Sequence, residues 1–362
     1  MDNLLIPKDY FDSSIFKTEM ETLFPSCWIF AGLRRDVAND GDWIAVRVGS
    51  TAVTVQNNQG ELRALHNVCS HRFAVMRTQS QGHGPLQCPY HGWMYDCEGN
   101  VSAIPARPRF SDLDQKKMSQ MRLRQFRVEC CGQLIFIRLT PEGPSLREYC
   151  GEVWGSLQSF SEALGSQLHA TTLRIAANWK LVIENSLESY HSGCVHPETL
   201  GMDRSYRFKI HTGPNFTRYE EQISATVAAK WGRIKKAFSS RPLCLDDYVF
   251  YSLFPTFSID TMRGATFALN VIRPLSLSET ELHSRVFATR LSPPELEESA
   301  LVRAFNDYSI GMAPLVIGQD KAICETVQAG LPQAQYSATL SEEEERILAF
   351  QKCYMSQLSA SS

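Results

Sequence analysis

Cys69-Ser70-His71 and Cys88-Pro89-Tyr90-His91 are two short stretches, separated by 16 residues, that each pair one thiol with one imidazole. The pairing is crossed. A structural zinc site usually takes both thiolates from one arm and both imidazoles from the other, or thiolates throughout. Here each arm supplies one soft sulfur and one neutral nitrogen. A two-iron, two-sulfide cluster with two cysteines on one iron and two histidines on the other needs that division. Each arm then touches both irons, and two loops at hairpin tips can clamp the cluster from opposite sides. The flanks agree. Asn67 and Ser70 suit a turn, Pro89 fixes φ after a ligand, and Gly92 allows close backbone approach. Tyr90 is placed to donate a hydroxyl to a sulfur and Trp93 to shield it, and hydrogen bonds and burial tune such a cluster. Taken alone, these residues also admit a zinc knuckle or two unrelated pairs of buried side chains.

In spacing and flanks together, Cys69-x-His71 and Cys88-x-x-His91, running on as Gly92-Trp93, resemble the Rieske cluster-binding signature. One departure is Phe73, which stands where such proteins often carry glycine after His-Arg. It leaves ligation untouched and bears on packing beside the first loop.

The 362 residues are enough for about two domains. Apolar content of 43% and charged content of 21% are ordinary for a globular protein. A net charge of −3 without a basic patch argues against a nucleic-acid binder. No signal peptide is legible after Met1-Asp2-Asn3, and no apolar run approaches the ~18 residues of a membrane span. The 11 cysteines show no framework of spacings, which fits free thiols in a reducing cytoplasm.

The pattern predicts an α+β chain. Residues 13–24 read as a helix within an N-terminal segment, 1–39, expected to pack on the catalytic domain. From Gly41 short alternating stretches follow: Trp43–Val48 and Thr51–Gln56 about a turn at Gly49, a turn at Asn57–Gly60, a hairpin at Asp96–Asn100, and Gln133–Leu139. Residues 40–140 thus form a small all-β domain with both ligand pairs on its loops. Pro141 and Pro144 open the catalytic domain, 141–362. There a helix is expected to stop at Gly165, Asn178–Ser192 reads as a helix, and Phe250–Ile259, Ala265–Ile272 and Leu282–Thr289 read as antiparallel strands. Ser341-Glu-Glu-Glu344 opens a last helix with a capping box.

Glu188, His191 and His196 form a second constellation. Glu188 and His191, at i and i+3, share one helix face. His191 and His196, at i and i+5, would diverge on an ideal helix, and Gly193 lets it end or distort. Two histidines and one carboxylate on one face of an iron leave positions open for dioxygen and substrate. Spacing does not choose the carboxylate: Glu188, Asp246, Asp247, Asp260 and Asp320 all stand available. A capped helix end beside a core histidine is the alternative.

The family resemblance extends here. Asn178-Trp179-Lys180, Glu184-Asn185, Glu188, Tyr190-His191 and His196-Pro197 resemble the catalytic signature of the Rieske non-haem iron oxygenases, large (alpha) subunits of ring-hydroxylating and demethylating enzymes. Gln319-Asp320, with Cys324-Glu325 and Val327-Gln328-x-Gly330-Leu331, resembles the helix that carries the third ligand. The resemblance implies Asp320 as that ligand, an antiparallel helix-grip catalytic domain, a [2Fe-2S] cluster and a mononuclear Fe(II). It also implies a head-to-tail homotrimer, in which Glu188 bridges His91 of one chain to His191 of the next. From the residues alone, Asp320 would pass as a first-turn acid favoured by the helix dipole. Glutamate at 188, where many dihydroxylating members carry aspartate, resembles the carnitine and glycine-betaine monooxygenases.

The function implied is that of a terminal oxygenase fed by an NAD(P)H-dependent reductase, directly or through a ferredoxin. It would use O2 to hydroxylate, or oxidatively demethylate, a small organic substrate. The large subunit of a ring-dihydroxylating dioxygenase is the alternative. A non-catalytic Rieske electron carrier would need only the β domain. No glycine fingerprint for a nucleotide is present. The substrate pocket is expected among strands 250–289 and segment 200–245, with Tyr206, Phe208, Phe216, Tyr219, Trp231 and Phe238 as aromatic walls or core. Arg204, Arg207 and Arg263 are candidate carboxylate holders.

Overall fold

The computed structural model describes residues 1–199, 207–222 and 225–360. The chain divides into two units, 19–149 and a larger one formed by 1–18 together with 150–360.

The smaller unit is built on a seven-stranded antiparallel sheet. Its strands are β1 (Ile29–Leu33), β2 (Asp42–Val48), β3 (Thr51–Asn58), β4 (Glu61–His66), β5 (Gln81–His83), β9 (Gln125–Cys131) and β10 (Leu134–Arg138). Their order is β1-β10-β9-β4-β3-β2-β5. A second sheet joins β6 (Leu86–Gln87), β7 (Met94–Tyr95) and β8 (Val101–Ala103). Every residue of β10 is buried, as a strand covered on both faces requires. Gly49 turns β2 into β3 at φ +54°, and a Cβ there would lie 2.1 Å from the Met20 carbonyl oxygen, so only glycine fits.

The division differs from the boundaries at 39 and 140. β1 pairs with β10 along Ile29↔Ile137 to Leu33↔Leu134, which ties residues 19–39 into the β unit. Only residues 1–18 group with the larger unit.

That unit carries its own seven-stranded antiparallel sheet: β11 (Leu164–Ile175), β12 (Phe208–Thr212), β13 (Phe216–Glu221), β14 (Tyr248–Leu253), β15 (Phe257–Met262), β16 (Thr266–Ser276) and β17 (Glu279–Thr289). The order is β11-β17-β16-β15-β14-β13-β12. On one face Phe160, from the Trp154–Ala163 helix, meets Tyr251 and Phe267 edge-on at 5.2 and 5.7 Å. Side chains of opposite parity, Tyr219 and Phe250 among them, meet Arg346 of the Glu345–Ala360 helix. Trp179 of the Trp179–Ser186 helix packs on Phe350 of that same helix at 5.9 Å.

Several local expectations shift. Gly165 does not stop a helix. β11 begins one residue earlier, and Gly165 is a close approach, since a Cβ would sit 2.9 Å from the Thr289 carbonyl. Phe250–Ile259 is two strands, β14 and β15, joined by a turn. The strand expected to end at Ile272 runs on through Pro274 to Ser276 as β16.

Candidate metal centres

In the smaller unit the two Cys/His loops close in the same way. Cys69 N–H donates to Ala74 O (2.9 Å) and Phe73 N–H to Cys69 O (2.9 Å). Cys88 N–H donates to Trp93 O (2.8 Å) and Gly92 N–H to Cys88 O (3.0 Å). Both loops therefore need a left-handed residue four places after the cysteine. Gly92 supplies it at φ +72° and Phe73 at φ +60°. Phe73 thus stands where an L residue is strained by about 1–2 kcal/mol. The Phe73 ring gains little in return, because it is 78% exposed.

Cys69 and Cys88 are buried in one apolar cluster with Leu65, Met76, Leu86, Trp93 and Tyr95. Their thiols interact with each other, and burial pushes the Cys88 thiol up. His71 and His91 lie side by side, ring centres 4.8 Å apart. Trp93 stacks flat on His71 at 4.6 Å, and Phe110 closes edge-on at 5.8 Å. Burial draws the His71 imidazole down, toward the neutral form a metal ligand needs.

The sulfur's hydrogen-bond partner is not Tyr90. That ring is exposed, stacked on His91 at 3.7 Å, and its hydroxyl accepts from Arg72. Tyr95 takes the place instead, with its hydroxyl 3.1 Å from Cys69 Sγ and accepting from Ser70 N–H at 3.0 Å. Sequence reasoning missed Tyr95 and Phe110. A hydroxyl on the strand just after the second loop was the available signal for the first; nothing local marks the second.

The donor set can be tested against what it would hold. His71 Nδ1 is buried with no hydrogen-bond partner, a nitrogen left for something other than protein. Ligands of one tetrahedral zinc lie within ~4 Å of one another, given bonds of ~2.0–2.3 Å. Among the described residues only His191, His196 and Asp320 bring three donor atoms within 4.8 Å of each other. The crossed set brings two buried thiols beside two adjacent imidazoles, the donors that a two-metal group with two ligands on each metal takes.

In the larger unit the expected helix over Asn178–Ser192 is interrupted. Asn178 caps the Trp179–Ser186 helix, its side chain accepting from Lys180 N–H at 3.0 Å. The chain then turns through Leu187–His191 into a short helix, Ser192–Val195. The break comes before Gly193, which lies inside that short helix. Glu188 and His191 therefore meet across a turn, not on a helix face. Glu188 accepts from His191 N–H at 3.1 Å and its carboxylate grips His191 Nδ1.

His191 Nε2 and His196 Nε2 then point to one spot, 3.2 Å apart. Asp320 Oδ1 lies 3.0 Å from His196 Nε2 and 3.3 Å from His191 Nε2. Asp320 is not a first-turn acid, since it sits deep within the 31-residue Ala300–Gly330 helix. Of the other acids, Asp246 pairs with Lys235 and Asp260 bonds to Tyr248. Each imidazole is fixed from behind, His191 by Glu188 and His196 by Gln319 Oε1 at 2.8 Å. Gln319 had no role assigned from sequence. Burial pulls the His191 imidazole down, but Asp320 and Glu188 outweigh it and hold it at about 9. Two carboxylates converging on an imidazole describe a pocket built for positive charge, and a divalent cation fits it.

Of the expected pocket residues, Tyr219 faces this site, its hydroxyl 3.0 Å from Ser189 Oγ, with Phe208 stacked on it at 5.9 Å. Trp231 and Phe238 instead form a separate core with Ala265, Leu291 and Val302, and the Arg263 guanidinium covers Trp231. Arg207 is exposed. Arg204 and Tyr206 lie outside the described residues.

Comparison with known proteins decides the family. Residues 163–360 match the ring hydroxylating alpha subunit catalytic domain, and residues 27–127 match the Rieske [2Fe-2S] domain. The chain belongs to the ring-hydroxylating alpha-subunit family. Its cofactors are a Rieske [2Fe-2S] cluster and a mononuclear iron. It is 31% identical to the glycine betaine monooxygenase oxygenase subunit of Pseudomonas aeruginosa, over 61% of this chain and 51% of that protein. The chain thus spans about half the length of the curated betaine relatives it matches. It is 30% identical to the large oxygenase component of a naphthalene 1,2-dioxygenase system of Pseudomonas aeruginosa, over 79% of this chain and 71% of that one. The quaternary ammonium Rieske monooxygenase CntA, solved with an inhibitor, shares the fold at a TM-score of 0.80 and 18% identity, covering 98% of this chain and 94% of CntA. No described helix is long and apolar enough to cross a membrane.

Proposed function

We propose that this chain is the terminal oxygenase of a Rieske monooxygenase system, with an N-methylated amine as its substrate. The observation that carries the reading is the convergence of His191, His196 and Asp320 in a chain that also holds the crossed Cys/His loops. A mere electron carrier has no use for the first set. Cys69, Cys88, His71 and His91 would hold the cluster, and His191, His196 and Asp320 the iron. When bound, these groups supply one-electron delivery and dioxygen activation.

The chain's own residues do the rest. Tyr95 would donate toward the Cys69 sulfur once that is a thiolate, Trp93 covers His71, and Gln319 orients His196. Glu188 holds His191 in place. In a homotrimer its carboxylate would link to His91 of a neighbouring chain and carry electrons between subunits. His91 is exposed, as that role requires. An NAD(P)H-dependent reductase supplies the electrons, and a cytoplasmic setting suits eleven cysteines that form no disulfide. Hydroxylation of an N-methyl carbon with one oxygen atom, the other leaving as water, ends in loss of formaldehyde.

The betaine relatives and the glutamate at 188 favour monooxygenation. The long match to the naphthalene component keeps ring dihydroxylation as the second reading. Holoprotein with a reductase, offered glycine betaine, carnitine and an aromatic acid in turn, decides between them. Formaldehyde from an N-methyl substrate is expected, and a cis-diol from the aromatic acid would replace the first reading by the second. A holoprotein with about two irons per chain and no product from any of them would overturn both.

A further inference from the structure

Arg346 opens the last helix and is only 2% exposed. Its guanidinium lies 4.3 Å from the Tyr219 ring centre and 5.1 Å from that of Phe250, two residues paired across β13 and β14. Nε and Nη1 are buried and find no hydrogen-bond partner among the described residues. Burial draws the group down only to about 10, so it is a cation at neutral pH. A buried charge with donors unmet is expensive, and two ring faces offset the cost in part. Such an arrangement calls for a use.

The surroundings supply one. The Tyr219 hydroxyl donates to Glu221 Oε2 at 3.0 Å and meets Ser189 Oγ at 3.0 Å. Ser189 stands in the turn between Glu188 and His191. Its backbone bonds include Leu187 N–H to Glu184 O on one side and Ser192 N–H to Ser189 O on the other. Side-chain contacts add to these. The Glu188 and Glu221 carboxylates are within electrostatic reach of the guanidinium.

We propose that Arg346 is a positioning residue for the Glu188–His191 turn: its cation clamps the Tyr219 ring, whose hydroxyl pins Ser189, and it attracts the Glu188 carboxylate that holds His191. The inference deepens the reading of Glu188 as an electron bridge and rests on it.

The test uses the holoenzyme with R346M, R346K, Y219F and E188Q. Metal content, thermal midpoint, the rate at which the reduced cluster is reoxidised in a single turnover, and the spin-resonance signal of the ferrous site with nitric oxide are read for each. R346M and Y219F should keep both metals, slow electron delivery about tenfold and alter the nitric oxide signal, while R346K returns to within about threefold of the parent rate. Parent-like delivery and signal in R346M overturn the proposal. So does an effect confined to KM, which would make Arg346 a substrate-binding group. If R346M does not fold, Y219F decides, and parent-like behaviour there overturns the proposal. Normal delivery in E188Q removes the bridge itself. Slow delivery in E188Q beside parent-like R346M and Y219F removes only the role of Arg346.

Discussion

The two centres are built on opposite plans. In the smaller unit the backbone does most of the work: two loops of equal length, each closed by the same pair of hydrogen bonds, present a cysteine and a histidine two or three residues apart. In the larger unit side chains do it. His191 and His196 come from a break between helices, Asp320 arrives from a different helix, and each imidazole depends on a second side chain for its orientation. A centre made of local loops tolerates change elsewhere. One assembled from distant elements is exposed to every change that tilts any of them.

The sharpest way to break the contrast is His191→Ala. It should abolish turnover and remove the mononuclear iron while the cluster's visible absorption persists, as iron analysis beside a spectrum would show. Loss of both signals together would mean that the centres are not independent. Gln319→Leu probes the supporting shell. Freed from its partner, His196 should bind iron about 10–100-fold more weakly, measured by titration of the iron-free protein, with no change in the cluster.

The third test is pH dependence. Glu184 is held up at about 7 by burial, against hydrogen bonds from Gln351 and Tyr10 and the nearby Lys180 charge. Because its folded value lies above its ordinary 4.5, its contribution to stability is full below about 4.5 and is lost as pH rises through about 7. Calorimetry should show the larger unit's transition falling between pH 5 and 8, and Glu184→Gln should flatten that fall. The smallest effect is expected at Phe73→Gly, which relieves a left-handed residue but frees the unfolded chain. The net gain to the smaller unit should be under about 1 kcal/mol.

Legibility in the sequence followed the same contrast. Cys69, His71, Cys88 and His91 stand in pairs whose spacing already encodes their geometry, and the β-strands around them alternate visibly. His191 and His196 were readable as a pair, yet the break that unites them was sought at Gly193 and lies at Leu187. Asp320 is 129 residues beyond His191, and no local pattern separates it from Asp246 or Asp260. Only tertiary packing does. Tyr90 and Tyr95 show the limit within a motif: both are near the second loop, and strand parity at β7, rather than proximity, turns Tyr95 toward Cys69. β1 was missed because Ile29–Leu33 is uniformly apolar and shows no alternation.

The first residues of the chain and its last helix share a buried network. Asn3 accepts from Gln351, which also donates to Glu184, and Tyr10 donates to Glu184 at 2.8 Å. During synthesis, residues 19–149 can therefore complete their fold soon after they leave the ribosome. In the opening segment, by contrast, Tyr10 must wait for Glu184 and Asn3 for Gln351 before their partners exist. The smaller unit is finished early, and the larger one is completed only when the Glu345–Ala360 helix joins it.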